Sequence, residues 1–371
     1  MSEIGVILNA ESTAGVIRFH RVENVAISNV TITNGYASSG GGIHCYSSSP
    51  DIVNVTIKDN SVEWNGGGFY CSYDSQPSLT NVKITGNSAE MYSGGIYCSS
   101  SNLSLKNVTI ADNSSESYGG GIFCSSSTIN LENVTITDNF AAFHGGGFYC
   151  SYSSSPILVN CILWNNSPLE VEFFSGSHPD TITIAYSDIA GGEEGIETSN
   201  NGTVNWLEGN IDTDPLFVDA EMGNYHLTQN SPCIDTGIAY YEYEGEVLID
   251  MADAEFYGSA PDMGAFEYGF VNTDEFKIEN VKCKISNFPN PFNPETQITF
   301  NLTEAEHVYL SVYNLKGQLV KVLTDEILPA GNNNLIWDGT NVLGRKVSSG
   351  VYLLRLKNSN ETVNKKIMLI K

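Results

Sequence analysis

Through the first 165 residues, apolar and polar positions alternate with a period of two, in short bursts separated by turn residues. The bursts "SNVTI", "VNVTI", "TNVKI", "KNVTI" and "ENVTI" each set Val and Ile two apart around an outward Thr or Lys. Two residues before the asparagine stands another apolar residue: Ile52, Leu79, Leu105, Leu131 or Leu158. A second burst follows a glycine cluster, as in "GGGIHCYS" (40–47), "GGGFYCSY" (66–73), "SGGIYCSS" (93–100) and "GGGIFCSS" (119–126), and "GGGFYCSY" returns at 145–152. There Ile or Phe and then Cys point one way and the residue between them points the other. No stretch of 26–165 carries a helical period.

The bursts recur at a fixed interval. The last glycines (Gly42, Gly68, Gly95, Gly121, Gly147) are 26, 27, 26 and 26 residues apart. A cysteine follows each by three positions (Cys45, Cys71, Cys98, Cys124, Cys150), and an asparagine precedes each by eight (Asn34, Asn60, Asn87, Asn113, Asn139). Short strands and turns repeating at this length predict an all-β chain, a right-handed parallel β-helix whose coils stack at about 4.8 Å. Stacking then predicts an interior cysteine column, a corner ladder of asparagine amides, and tight corners at the glycines. Without close CxxC pairs, the thiols read as packing rather than disulfides or metal ligands. Cys161 is expected to point inward, whereas Cys233 and Cys283 have no repeat context. The sequons at Asn54, Asn107 and Asn133 come with the strand pattern.

Charge divides the 371 residues further. Acids outnumber bases 43 to 17, for a net charge of −26. Residues 1–165 carry 12 acids and 5 bases, 166–283 carry 24 and 2, and 284–371 carry 7 and 10. Nucleic acid is excluded as a partner, since its phosphates would be repelled. No apolar run reaches the ~20 residues of a membrane span. The opening "MSEIGVILNAESTAG" is no secretory leader, and "GVIRFHRVENVAISNV" already reads as helix wall, so a leader and first cap are expected to be missing.

Four segments follow: a β-helix over 1–211, an acidic closing segment over 212–270, a linker over 271–285, and a domain over 286–371. "IDTDPLFVDAEMGNYHLTQNSPCIDTG" and "APDMGAFEY" resemble the closing segment of secreted bacterial β-helix proteins, often termed a choice-of-anchor region. Its expected role is to cap the last coil, whose strand edge is otherwise open. The last domain has short separated strands and turns at Lys316-Gly317, Ala330-Gly331 and Ser349-Gly350, which predict a small β-sandwich. "NFPNPFN", "VYNLKGQLV", "SSGVYLLRLK" and a terminal "KKIMLIK", in that order, resemble the sorting domain of the type IX secretion system. That resemblance implies export, the type IX machinery as a partner, and an outer-membrane surface or extracellular location.

Three candidate sites remain. The β-helix class resembled here includes polysaccharide lyases and glycoside hydrolases. A lyase needs a cation-lined groove, but residues 26–165 hold only Lys58, Lys83 and Lys106, in no common column. A hydrolase needs two facing carboxylates, for which Asp112 and Asp138, one coil apart, are the candidates, although Asp-Asn is ordinary corner chemistry. Asp212, Asp214 and Asp219 in the acidic segment are candidate Ca²⁺ ligands. The residue between inward Ile/Phe and Cys is His44, Tyr70, Tyr97, Phe123 or Tyr149, which predicts an exposed aromatic stripe about 20 Å long. Tyr92 and Tyr118 are expected to widen it. Sugar rings stack on such faces, so the expected function is binding, with a polysaccharide or another surface polymer as partner to a monomer. A lyase or hydrolase site in the irregular coils is the alternative.

Overall fold

A computed structural model describes residues 6–269, 285–288, 292–302, 305–314, 319–342, 344–358 and 362–369. The chain divides into two compact units, Met1–Val271 and Asn272–Lys371. The first unit is a parallel β-helix of about eight turns, about 26 residues apart. Its long sheet runs from Val6–Asn9 through Asn102–Ala111 and Thr128–Thr137 to Gly202–Trp206. A seven-stranded sheet holds Ile17–His20, Ile43–Tyr46, Phe69–Ser72, Ile96–Ser99, Ile122–Ser125, Phe148–Ser151 and Val171–Phe173. A third, of five short strands, runs from Tyr36–Ser39 to Phe140–Ala141.

The predicted cysteine column is present. Cys45, Cys71, Cys98, Cys124 and Cys150 stand in register, with Phe19 closing one end and Phe173 the other. These five, Cys161 and Cys233 are all unpaired and buried. Burial pushes the thiols of Cys45, Cys71, Cys124 and Cys150 well up, and that of Cys161 up to about 12. They are small packing groups, because deprotonation inside an apolar stack is unfavourable. Cys283 and nearly all of the linker 271–285 lie outside the described residues.

The asparagine ladder also exists, shifted by one residue at its start. Asn60, Asn87, Asn113 and Asn139 each donate their backbone N–H and their Nδ2 to the Oδ1 of the asparagine one coil on, at 2.9–3.0 Å. Asn166 receives the last pair. Asn34 does not join. Gly35 occupies that place and donates its N–H to Asn60 Oδ1 at 2.8 Å, because the bulged register of Tyr36–Ser39 moves the first corner by one. Asn34 instead shares the left-handed corner of Asp59, Gly86, Asp112, Asp138 and Asn165, all at φ between 56° and 66°. Asn, Asp and Gly tolerate that conformation best, so the aspartate column is a corner requirement.

A second amide ladder joins Asn29, Asn54, Asn81, Asn107, Asn133 and Asn160, each Nδ2 donating to the Oδ1 one coil back at 3.0–3.3 Å. These are the asparagines of the "NVTI" bursts, and all have φ between 52° and 57°.

The closing segment is not an end cap; it lies along the flank of the long sheet. Lys83 Nζ donates to Gly223 O at 3.2 Å, Lys106 pairs with Glu255 at 2.6 Å, and Asn160 Nδ2 donates to Ile238 O at 2.9 Å. Ala265 N donates to Thr135 Oγ1 at 3.0 Å. Ile249 and Met251 pack on Val159, while Leu227, Cys233 and Met263 pack on Ile162. The physical reason is visible in "ILVNCILW" (157–164), which is apolar on both faces, whereas earlier coils carry Thr, Lys or Ser outward. An apolar outer face needs a cover, and 212–269 supplies it.

The second unit is a small antiparallel sandwich, as expected. Ile285–Phe288, Thr296–Leu302 and Gly331–Trp337 form one sheet, and Leu319–Leu328, Glu306–Asn314, Gly350–Lys357 and Thr362–Leu369 the other. Phe292 of "NFPNPFN" is buried 5.4 Å from the Trp337 ring, which links that motif to the core. The turn at Lys316-Gly317 and the two prolines of "PNP" lie outside the described residues.

Candidate functional site

The alternation that sends Ile and Cys inward sends one ring per coil outward. His44, Tyr70, Tyr97, Phe123 and Tyr149 stand in register, with Arg18 before them and Glu172 after. Ring centroids are 4.6–5.3 Å apart, and Tyr70 and Tyr97 are parallel to within 2°. The column is thus as predicted, but its exposure is not. Phe123 and Tyr149 are only 7% and 4% exposed. Tyr92 and Tyr118 do not widen a flat stripe. They stand just before the glycine corner and lean over the next coil, Tyr92 5.0 Å from Phe123 and Tyr118 5.1 Å from Tyr149. The face is two rings deep. Its outer row is Tyr92, Tyr118 and His144, bridged in order, with Tyr118 and His144 stacked at 5.0 Å.

The electrostatics follow from this depth. Burial lowers the His44 pKa, assisted by Arg18, so its ring favours the neutral form. Burial pushes the Tyr97 hydroxyl up to about 12, and raises Tyr149 with help from Glu172. Glu172 closes the upper end by accepting from Gly145 N at 2.8 Å, and its other oxygen lies 2.7 Å from His144 Nδ1. The inner row therefore presents a His44 ring that favours the neutral form and protonated Tyr97 and Tyr149 hydroxyls, and the outer row ends on His144 against the Glu172 carboxylate.

The aspartate pair has an occupant. Tyr225 of the closing segment donates its hydroxyl to Asp112 Oδ2 at 3.3 Å, and burial, with Asp112 and Asp138 beside it, raises its pKa. Asp138 also accepts from Asn165 Nδ2. Beside Asp138 opens a cleft of about 290 Å³ lined by Trp164, Asn165, Asp214, Leu216 and Phe217.

The candidate calcium ligands are spread over separate turns. Asp212 accepts from Gly191 N, Asp214 from Leu216 N, and Asp219 caps a short 3-10 turn by accepting from Met222 N. Among the described residues, no group of three or more His, Cys, Asp or Glu is placed to hold a metal ion.

Residues 8–144 and 93–212 match the family described as right-handed β-helix region, and the chain belongs to that family. Residues 286–371 match the secretion system C-terminal sorting domain, which implies the type IX secretion machinery as a partner and an exported protein. Among solved structures, the chain is similar to dimeric latent PorU from Porphyromonas gingivalis, at 21% identity and TM-score 0.20, covering 24% of this chain and 9% of that one. It is also similar to PorZ, a surface component of the type IX secretion system of the same organism, at 19% identity and TM-score 0.19, covering 24% and 11%. The chain thus spans about a tenth of each. No curated protein matches it. Among the described residues, no helix is long and apolar enough to cross a membrane.

Proposed function

We propose that the protein is an exported binding protein, displayed at the outer-membrane surface or released, that holds a polysaccharide or another surface polymer against the aromatic face of its β-helix. The observation that carries this reading is the double row of rings, inner His44 to Tyr149 and outer Tyr92 to His144, in register along the solenoid axis. Stacked rings fit the apolar faces of sugar rings, and their repeat along the axis suits a polymer rather than a small molecule.

A hydrolase is the second reading, favoured by the cleft that sets Asp138 and Asp214 beside Trp164. One experiment separates the two. The protein is incubated with a panel of insoluble and soluble polysaccharides, and retention, new reducing ends and unsaturated products are all measured. Retention without turnover supports the binding protein; reducing ends or unsaturated products would replace it with the enzyme.

A further inference from the structure

The corner that follows the cysteine strand carries a second aromatic feature, and it explains the repeated "GGGFYCSY". The position five after the last glycine is Ser47, Tyr73, Ser100, Ser126 and Tyr152 in successive coils, and all five have left-handed backbone, with φ between 44° and 59°. For a bulky residue this conformation costs about 1–2 kcal/mol. Serine serves the corner in three coils, yet two coils carry a tyrosine there, 59% exposed at Tyr73 and 48% at Tyr152. Neither the fold nor the core needs those rings.

Each tyrosine heads a separate cluster. Tyr73 lies 4.4 Å from Tyr46, which stacks on His20 at 4.9 Å. Tyr152 stacks on Phe174 at 5.3 Å, with His178 at 6.1 Å. Between the clusters, the two intervening coils present the exposed serines Ser100 and Ser126. Tyr73 and Tyr152 are three coils apart, about 14 Å at the usual strand spacing. Arg21 takes the same corner position in the first coil, but from Tyr73 to Tyr152 the corner carries Asp74 and no base.

We infer that this corner is a two-clamp site for a neutral glycan chain, lying along the solenoid axis with one sugar ring on Tyr73, another on Tyr152, and its hydroxyls over Ser100 and Ser126. The inference rests on the polymer-binding reading above and adds to it a second contact, at the opposite end of the cysteine strand from the glycine corner, and a ligand class. Flat rings supply stacking, Ser100 supplies a hydroxyl, Ser126, whose Oγ donates to Tyr152 O at 3.0 Å, supplies an acceptor, and the absence of a base in that stretch disfavours uronates. Because one chain engages two clamps, the second contact is intramolecular, and affinity must depend on chain length.

The test is affinity electrophoresis of the whole chain with hydroxyethyl cellulose and glucomannan, with polygalacturonate as the anionic control, and calorimetry with cello-oligosaccharides of increasing length. Tyr73→Ser and Tyr152→Ser are compared singly and together; serine already stands at this corner in three coils, so the fold is retained, and melting verifies it. The expected result is a rise in affinity of about a hundredfold once the oligosaccharide spans both clamps, abolished by either single substitution, with polygalacturonate unbound. Full affinity in the double variant, no dependence on length, or equal binding of polygalacturonate would each overturn the site. If the double variant binds like the wild type, only this inference fails. If the wild type binds no polysaccharide at all, the underlying reading fails with it.

Discussion

Asn166 donates both its backbone N–H and its Nδ2 to the carboxylate of Glu170, at 3.0 and 2.5 Å, where every earlier rung of the ladder has an asparagine oxygen. An amide accepts from one coil and donates to the next, so it passes the ladder on, whereas a carboxylate only accepts and therefore ends it. A row of serines ends the same way: Ser48, Ser75 and Ser101 donate N–H to the next hydroxyl, and Ser154 donates to Asp180 at 2.7 Å. Both regular ladders thus end on buried acids where the coils become irregular.

Burial pushes Glu170 up to about 7 and Asp180 up to about 6, against the hydrogen bonds that lower them. Asp188 and Glu267 are raised to about 6 and 7 for the same reason. In this window the folded state holds protons that the unfolded chain has released, so these groups favour folding fully below about pH 4 and lose that contribution as pH rises through 6 to 7. Lowered Glu255 opposes the trend only in acid, and lowered His44, which the unfolded chain protonates below its ordinary 6.5, opposes it between the two pH values but is one group against four. The melting temperature is expected to be higher at pH 5 than at pH 8, and Glu170→Gln to shrink the difference. Melting followed by circular dichroism at the two pH values checks both.

The two asparagine ladders are expected to differ in weight. Asn113→Ala removes the acceptor for Asn87 and the donors to Asn139 and Ile84 O, all buried. Unpaired buried groups cost about 1–3 kcal/mol each, so a loss of about 3 kcal/mol or more is expected. Asn54→Ala, whose side-chain bonds are more accessible, is expected to cost about 1 kcal/mol. Urea titration of the two variants gives the comparison.

The thiols are expected to be inert until the coils open. With Cys283 replaced by Ser, the native chain should not react with a thiol reagent over hours, and in urea seven thiols should react together, matching the seven buried cysteines. Partial reaction of the folded chain would mean that the cysteine column is open to solvent.

Asp214 and Asp219 serve turns of the closing segment and Asp212 the turn at Gly191, so a chelator is expected to leave melting unchanged, and calorimetric titration with Ca²⁺ to give no saturable heat. Tyr225→Phe, which removes the hydroxyl at Asp112, is expected to cost about 1 kcal/mol in the same melting assay.

The coil, its period and its inward columns were legible because stacking repeats each residue's environment, so one alternating burst read five times defines the wall. Spacing points to Asn34 as the start of the ladder where the structure has Gly35, because a bulge is invisible in residue spacing. The closing segment covers a flank rather than an end, and "ILVNCILW" carries that signal in its two apolar faces. Alternation also tells which side a ring leaves from but not what leans over it, so the burial of Phe123 and Tyr149 beneath Tyr92 and Tyr118 could not be read from spacing. Spacing does not single out the corner tyrosines Tyr73 and Tyr152, because an exposed ring is only informative once its left-handed backbone is known.

Export gives its own outcome. Deleting residues 286–371 in a host with a type IX system is expected to trap the protein in the periplasm, measured by fractionation and surface labelling. Surface display equal to the intact chain would remove the sorting role from this domain.

The most direct test of the binding face is the outer row. Tyr92→Ser and Tyr118→Ser are combined, folding is verified by melting, and co-sedimentation with the insoluble polysaccharide that best retains the wild type is measured. The account predicts that retention falls at least tenfold while the fold persists. Undiminished retention by the folded variant would contradict it.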